Sequence, residues 1–139
     1  MFKRIIVAVD GSEHSDRALQ YAKEMAECFG SNIWLVHAYR HVSDLHGYNE
    51  YEQLIARREG AGQAILDDAR QKLGDTSLVI QEELLEEPAA NAIVTVAQTQ
   101  QADLIVMGTR GRGSLQGLVF GSVSNTVAHC APCPVMLIR

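Results

Sequence analysis

Five glycines and two arginines fall between Gly108 and Ser122, directly after the apolar run Leu104 to Met107. Residues without a Cβ let a backbone curl and turn its N–H groups toward an anion, and a helix opening nearby adds the positive end of its dipole. Phosphate is the ligand this composition suits first. A second short segment, Asp10-Gly11-Ser12, follows another apolar run and brings a carboxylate and a helix-capping hydroxyl.

The elements around these segments alternate. Ile5 to Val9, Ile33 to Val36, Leu104 to Met107 and Val135 to Ile138 are unbroken aliphatic runs, the pattern of parallel strands buried on both faces. Ser12 to Phe29 reads as a helix, with Ala18, Leu19, Ala22, Met25, Ala26 and Phe29 inward, Ser12 as its cap and Gly30 past its end. A second helix is expected within Asn49 to Leu73, with Leu54, Ala61, Ile65, Ala69 and Leu73 inward and Gly74 as its stop. Ser77 to Leu85 reads as an edge strand. Pro88 opens a helix to about Gln100, and a last helix spans about Ser122 to Cys130. Strand and helix alternate without a linker, which predicts an α/β fold over residues 1–139 as one domain: a doubly wound, Rossmann-like parallel sheet with helices on both faces. Ligands of such sheets bind beyond the strand C-termini, where the strand order reverses.

Two common phosphate loops do not fit. A P-loop needs a lysine after its last glycine, and no lysine follows Lys72. The dinucleotide fingerprint requires Gly-x-Gly-x-x-Gly at the first strand, whereas Gly111-Arg-Gly113-Ser-Leu-Gln-Gly117 has one residue too many and follows the fourth.

What stands here is Gly108, two residues, Gly111, nine residues, then Gly121-Ser122. This spacing resembles that of ATP-binding universal stress proteins. Residues 5–12, 103–108 and 131–135 extend the resemblance over essentially the whole chain. It implies five strands with the first and fourth adjacent, so that Asp10 and the glycine segment face one nucleotide. Gly108 and Gly111 would admit the ribose and phosphates; Gly121, Ser122, Val123 and Ser124 would hold the phosphates through N–H groups and hydroxyls. Asp10 would lie near the ribose and a phosphate-borne Mg or Mn. Ala8, Val9, Ala38 and Met107 would line the adenine pocket, and Arg110 and Arg112 would offset phosphate charge. The family also implies a homodimer through the apolar final strand, residues 135–138, an edge suited to pairing.

Composition agrees with a local anion site. Twelve Lys and Arg against seventeen Asp and Glu give a net charge of −5, which disfavours a general nucleic-acid or anionic-membrane surface. The first apolar run is too short for a secretory signal and no run is long enough for membrane insertion, so a cytoplasmic protein is expected. Three cysteines argue for reduced thiols. Cys130-Ala-Pro-Cys133 has redox spacing but closes a helix, where nothing lowers a thiol pKa, and only His129 stands nearby for zinc. Cys28 reads as a core or boundary residue, His37 as core-adjacent, and His41 and His46 as loop surface.

The functional expectation is a nucleotide-dependent regulator in stress response, with ATP occupancy changing its conformation or its contact with a partner protein. The alternative is a slow ATPase or autophosphorylating enzyme with Ser122 or Ser124 as acceptor. Efficient phosphoryl transfer needs positioned charge that no motif anchors here. A receiver-like domain phosphorylated on Asp10 would need further acids on the first strand and a lysine on the last, and both are absent. Both segments also have a structural reading: Asp10 and Ser12 as a helix entry, Ser122 and Ser124 as residues satisfying the first turn of a helix.

Overall fold

In the computed structural model, which describes residues 1–43, 47–110 and 121–139, strands and helices alternate along the chain. They are β1 (Arg4–Ala8), α1 (Glu13–Phe29), β2 (Asn32–Tyr39), α2 (Tyr48–Leu73), β3 (Ile80–Glu86), α3 (Ala89–Thr99), β4 (Leu104–Gly108), α4 (Ser122–Cys130) and β5 (Val135–Ile138). The strands form one parallel sheet of order β3-β2-β1-β4-β5. The order reverses between β1 and β4, which pair with Ile5 opposite Leu104 and Val7 opposite Val106.

Side chains alternate across a strand, so each aliphatic run feeds two cores. Ile5, Val7, Ile33 and Leu35 pack under α1 and α2 with Leu19 and Leu66. Ile6, Trp34, Val36 and Ile105 pack under α3 and α4 with Ile93 and Val127. The fold is therefore α/β and doubly wound, with helices on both faces. Among the described residues no helix is long and apolar enough to cross a membrane.

The caps of α1 fall where the sequence puts them. Ser12 accepts from the Ser15 N–H, and Gly30, in the left-handed region, donates its N–H to the Ala26 carbonyl. Residues 93–96 are helical within α3 despite their strand propensity. Some inward assignments change. Phe29 is exposed and stacks edge-on against Phe2, with ring centroids 5.5 Å apart. Cys28 is exposed beside it. On α2 the buried stripe is Gly62, Leu66, Ala69 and Leu73, while Ala61 is exposed. A 26-residue helix over a sheet this narrow buries only its C-terminal half, so the stripe is set by where the helix crosses β2.

Candidate functional site

Two strand-to-helix connections at the switch point build the site. After β1, Gly11 has φ 80°, a left-handed conformation that glycine adopts without strain. That turn lets the Ser12 N–H reach the Asp10 Oδ1 at 2.9 Å, while the Asp10 N–H donates to the Ser15 Oγ at 3.1 Å. The segment is an Asx turn running into a capped helix. Asp10 is thereby fixed, half-buried, at the rim of the sheet.

After β4 the connection is longer and is closed at its base by Thr109, a residue the sequence reading did not single out. It is 3% exposed. Its N–H donates to the Ile138 carbonyl at 2.8 Å, and its carbonyl accepts from the Gly121 N–H at 2.6 Å and the Ser124 hydroxyl at 2.7 Å. Its Oγ1 lies 3.3 Å from His14 Nδ1. Thr109 thus ties β4, β5 and the start of α4 together. Gly108 has a packing reason of its own: a Cβ there would stand 2.6 Å from His14 Cβ and 3.0 Å from the His14 carbonyl carbon, so glycine lets β4 end against α1.

The N-cap of α4 is Gly121, extended at φ −78°, ψ 168°, and it has no side chain to cap the helix. Ser122 is exposed. Ser124 differs from the expectation that its hydroxyl serves phosphates. That group is 2% exposed and lies 2.7 and 3.1 Å from the Thr109 and Gly121 carbonyls, so it is spent on the fold. Gly111 and Arg112, like Gly113, Gly117 and His46, lie outside the described residues.

A cavity of about 640 Å³ opens between these connections. Ala8, Val9, Ala38 and Met107, expected to form one pocket, line it together. Asp10, Gly108 and Val123 also line it. The first residues of α3 and α4 reach it as well, at Ala89 and Val123, beside the Ser12 cap of α1. Among the described residues, Arg40, Arg58 and Arg110 line the same cavity with Asp10 and Glu87, an excess of cations in a chain whose net charge is negative. Arg40 and Arg58 were not legible as site residues, because nothing in a solvent-facing helix or loop arginine reports which cleft it borders. Tyr39 also lines the cavity; burial, and then the nearby Glu86 carboxylate, push its phenol above the ordinary value and keep it protonated.

His37 is half-buried, and its Nδ1 lies 2.7 Å from the Val9 carbonyl across the β1–β2 pair. Elsewhere, burial and then Asp103 push the Cys133 thiol up, the reverse of an activated nucleophile. Among the described residues no group of three His, Cys, Asp or Glu side chains could hold a metal ion.

A sequence model described as the universal stress protein family matches residues 1–139. A universal stress protein of Thermus aquaticus, from the region 3′ to a QAH/OAS sulfhydrylase gene, is 41% identical, with all of both chains covered. Among solved structures, UspA of Lactobacillus plantarum superposes with a TM-score of 0.87 at 23% identity, covering 99% of this chain and 98% of that one. A universal stress protein solved in complex with cAMP superposes with a TM-score of 0.73 at 26% identity, covering 99% and 97%.

Proposed function

We propose that this chain, which belongs to the universal stress protein family, binds ATP in the switch-point cavity and acts as a nucleotide-dependent regulatory module. The observation that carries the reading is the convergence, on one 640 Å³ cavity, of Val123 in the first turn of α4, a helix with no capping side chain among the described residues, the fixed Asp10 carboxylate and three arginines. N–H groups left without a side-chain partner at a helix start suit phosphate oxygens, and arginines offset their charge. The small walls at Ala8, Val9 and Ala38 suit a flat base, and a relative of the same fold has been solved with cAMP. Gly111 and Arg112 join this site by resemblance.

The nucleotide's Mg or Mn would arrive on its phosphates. Asp10 supplies a hard oxygen donor suited to such a cation, and the described residues offer no three-ligand cluster to hold one unaided. The cation would supply charge neutralisation; the chain's part is to orient the ribose and phosphates. Titration calorimetry with ATP and Mg or Mn tests the reading: saturable binding is expected in the wild type and its loss in Gly121→Val. Wild-type protein that fails to bind, or a Gly121→Val protein that binds equally well, would contradict it. Following ADP release and labelled phosphate on the protein separates a regulator from an enzyme, and rapid turnover would favour the enzyme. Ser124, with its buried and engaged hydroxyl, is a poor phosphoryl acceptor; Ser122 is the exposed one.

We further read residues 1–139 as one domain working in the cytoplasm and pairing as a homodimer through β5. That strand is a sheet edge whose Val135, Met136 and Leu137 are only partly covered. A monomer at micromolar concentration in light scattering would argue against the dimer.

A further inference from the structure

The cavity draws on both faces of the sheet. Ala8, Val36, Ile93, Met107 and Val123 line it from the core under α3 and α4. A second wall comes from the opposite face, where Val9 and Ile65 belong to the core under α1 and α2. Gly62 approaches Leu84, His37 and Tyr39 so closely that a Cβ there would displace the Leu84 side chain, which brings α2 down onto this end of β2. Arg58 stands one turn before Gly62 on the same face of α2, half-buried. Among the described residues, those that line the cavity from α2 are Arg58, Ala61, Gly62 and Ile65: one cation on an otherwise apolar wall.

Further along α2, Arg70 is paired with Glu82, and Lys72 with Asp16 and Asp68. Among the described residues Arg58 has no such partner, although a guanidinium stays charged and carries five donors. Asp10 and Glu87 reach the cavity from the segments after β1 and β3, not from α2. A phosphate chain carries more charge than one guanidinium offsets and has no apolar part to set against Val9 and Ile65. A carboxylate matches the planar guanidinium fork through two parallel hydrogen bonds. An apolar wall with one polar anchor is also the usual composition of a pocket for a small organic ligand. We infer that the α2 side of the cavity is a separate site for a small organic acid, with its carboxylate on Arg58 and its hydrocarbon part against Val9, Gly62 and Ile65. Arg40 and Arg110 are then left to offset nucleotide phosphates. The acid site stands whether or not a nucleotide occupies the α4 side.

The experiment titrates hexanoate, and separately its neutral counterpart hexanamide, into the protein while following backbone amide resonances. Hexanoate is expected to saturate at about millimolar concentration, the reach of so small a ligand, and to shift the amides of residues 37–39 and 58–65. Hexanamide should bind about tenfold or more weakly, the scale of a lost hydrogen bond to a charged group, and Arg58→Gln should weaken hexanoate by a similar factor while leaving hexanamide unchanged. Equal binding of the acid and the amide, shifts confined to α3 and α4, or the absence of saturable shifts would each overturn the inference. So would an Arg58→Gln protein that binds hexanoate as the wild type does; should that variant fail to fold, the comparison of acid with amide on the wild type decides. Repeating the titration with ATP present separates this site from the nucleotide's. Hexanoate affinity held to within a few-fold is expected, and competitive displacement would show the acid taking the place of a phosphate and overturn the second site. A protein that binds hexanoate on the α2 side but no ATP overturns the nucleotide reading alone.

Discussion

The β1–α1 and β4–α4 connections both deliver a helix N-terminus to one cavity, yet they finish it differently. The first closes on itself: Asp10 Oδ1 takes the Ser12 N–H, Ser12 Oγ takes the Ser15 N–H, and the helix entry is satisfied by its own side chains. In the second, the N-cap is glycine, no side chain among the described residues caps α4, and the Ser124 hydroxyl is turned to the Thr109 and Gly121 carbonyls. One terminus is satisfied by its own side chains, and among the described residues the other has no capping side chain. A glycine-rich connection is therefore informative less through its glycines than through the absence of a capping side chain where the helix begins.

The two connections touch at Gly108 and His14, and that contact offers the largest expected effect. Gly108→Ala would drive a Cβ against both the side chain and the backbone of His14, at a cost of about 1–3 kcal/mol. Chemical denaturation should register the loss, along with weaker ATP binding because both connections shift. Ser124→Ala, next in size, should cost about 1 kcal/mol: it removes one bond to the Thr109 carbonyl, which keeps the bond from the Gly121 N–H. Smallest and most discriminating is Ser12→Ala. The loss of its cap should lower stability by about 1 kcal/mol or less and leave the ATP dissociation constant where it was, since the donors freed there belong to the already closed turn. An affinity change as large as that of Gly121→Val would erase the distinction between the two termini.

The parts of this architecture that depend on neighbours in sequence were readable. Unbroken aliphatic runs marked four of the five strands, and Ser12 and Gly30 marked both ends of α1, because caps and buried strands act through local chemistry. Ala8, Val9, Ala38 and Met107, expected from family resemblance to line an adenine pocket, do line one cavity. What acts across the sheet was not readable. Thr109 works through its backbone on residues 12 to 29 positions away, which no threonine signals by type. The bond from His37 to Val9 requires the parallel register of β1 and β2. The α2 stripe shifted to Gly62 and Leu66 because its placement depends on where a long helix crosses the sheet. Ser124 looked like a phosphate ligand because a hydroxyl in a first turn can face either the ligand or the loop, and its hydrogen bonds turn it to the loop.

Among the described residues no side chain caps α4, and its assignment as the phosphate-binding terminus depends on that. Titrating ATP into Gly121→Ser tests this most directly, because serine at that position supplies the missing cap and competes with phosphate for the same N–H groups. The expected result is opposite signs in one protein: stability raised by a few tenths of a kcal/mol at most, and ATP bound about tenfold or more weakly. A Gly121→Ser protein that binds ATP as tightly as the wild type would contradict the assignment of α4 as the phosphate-binding terminus.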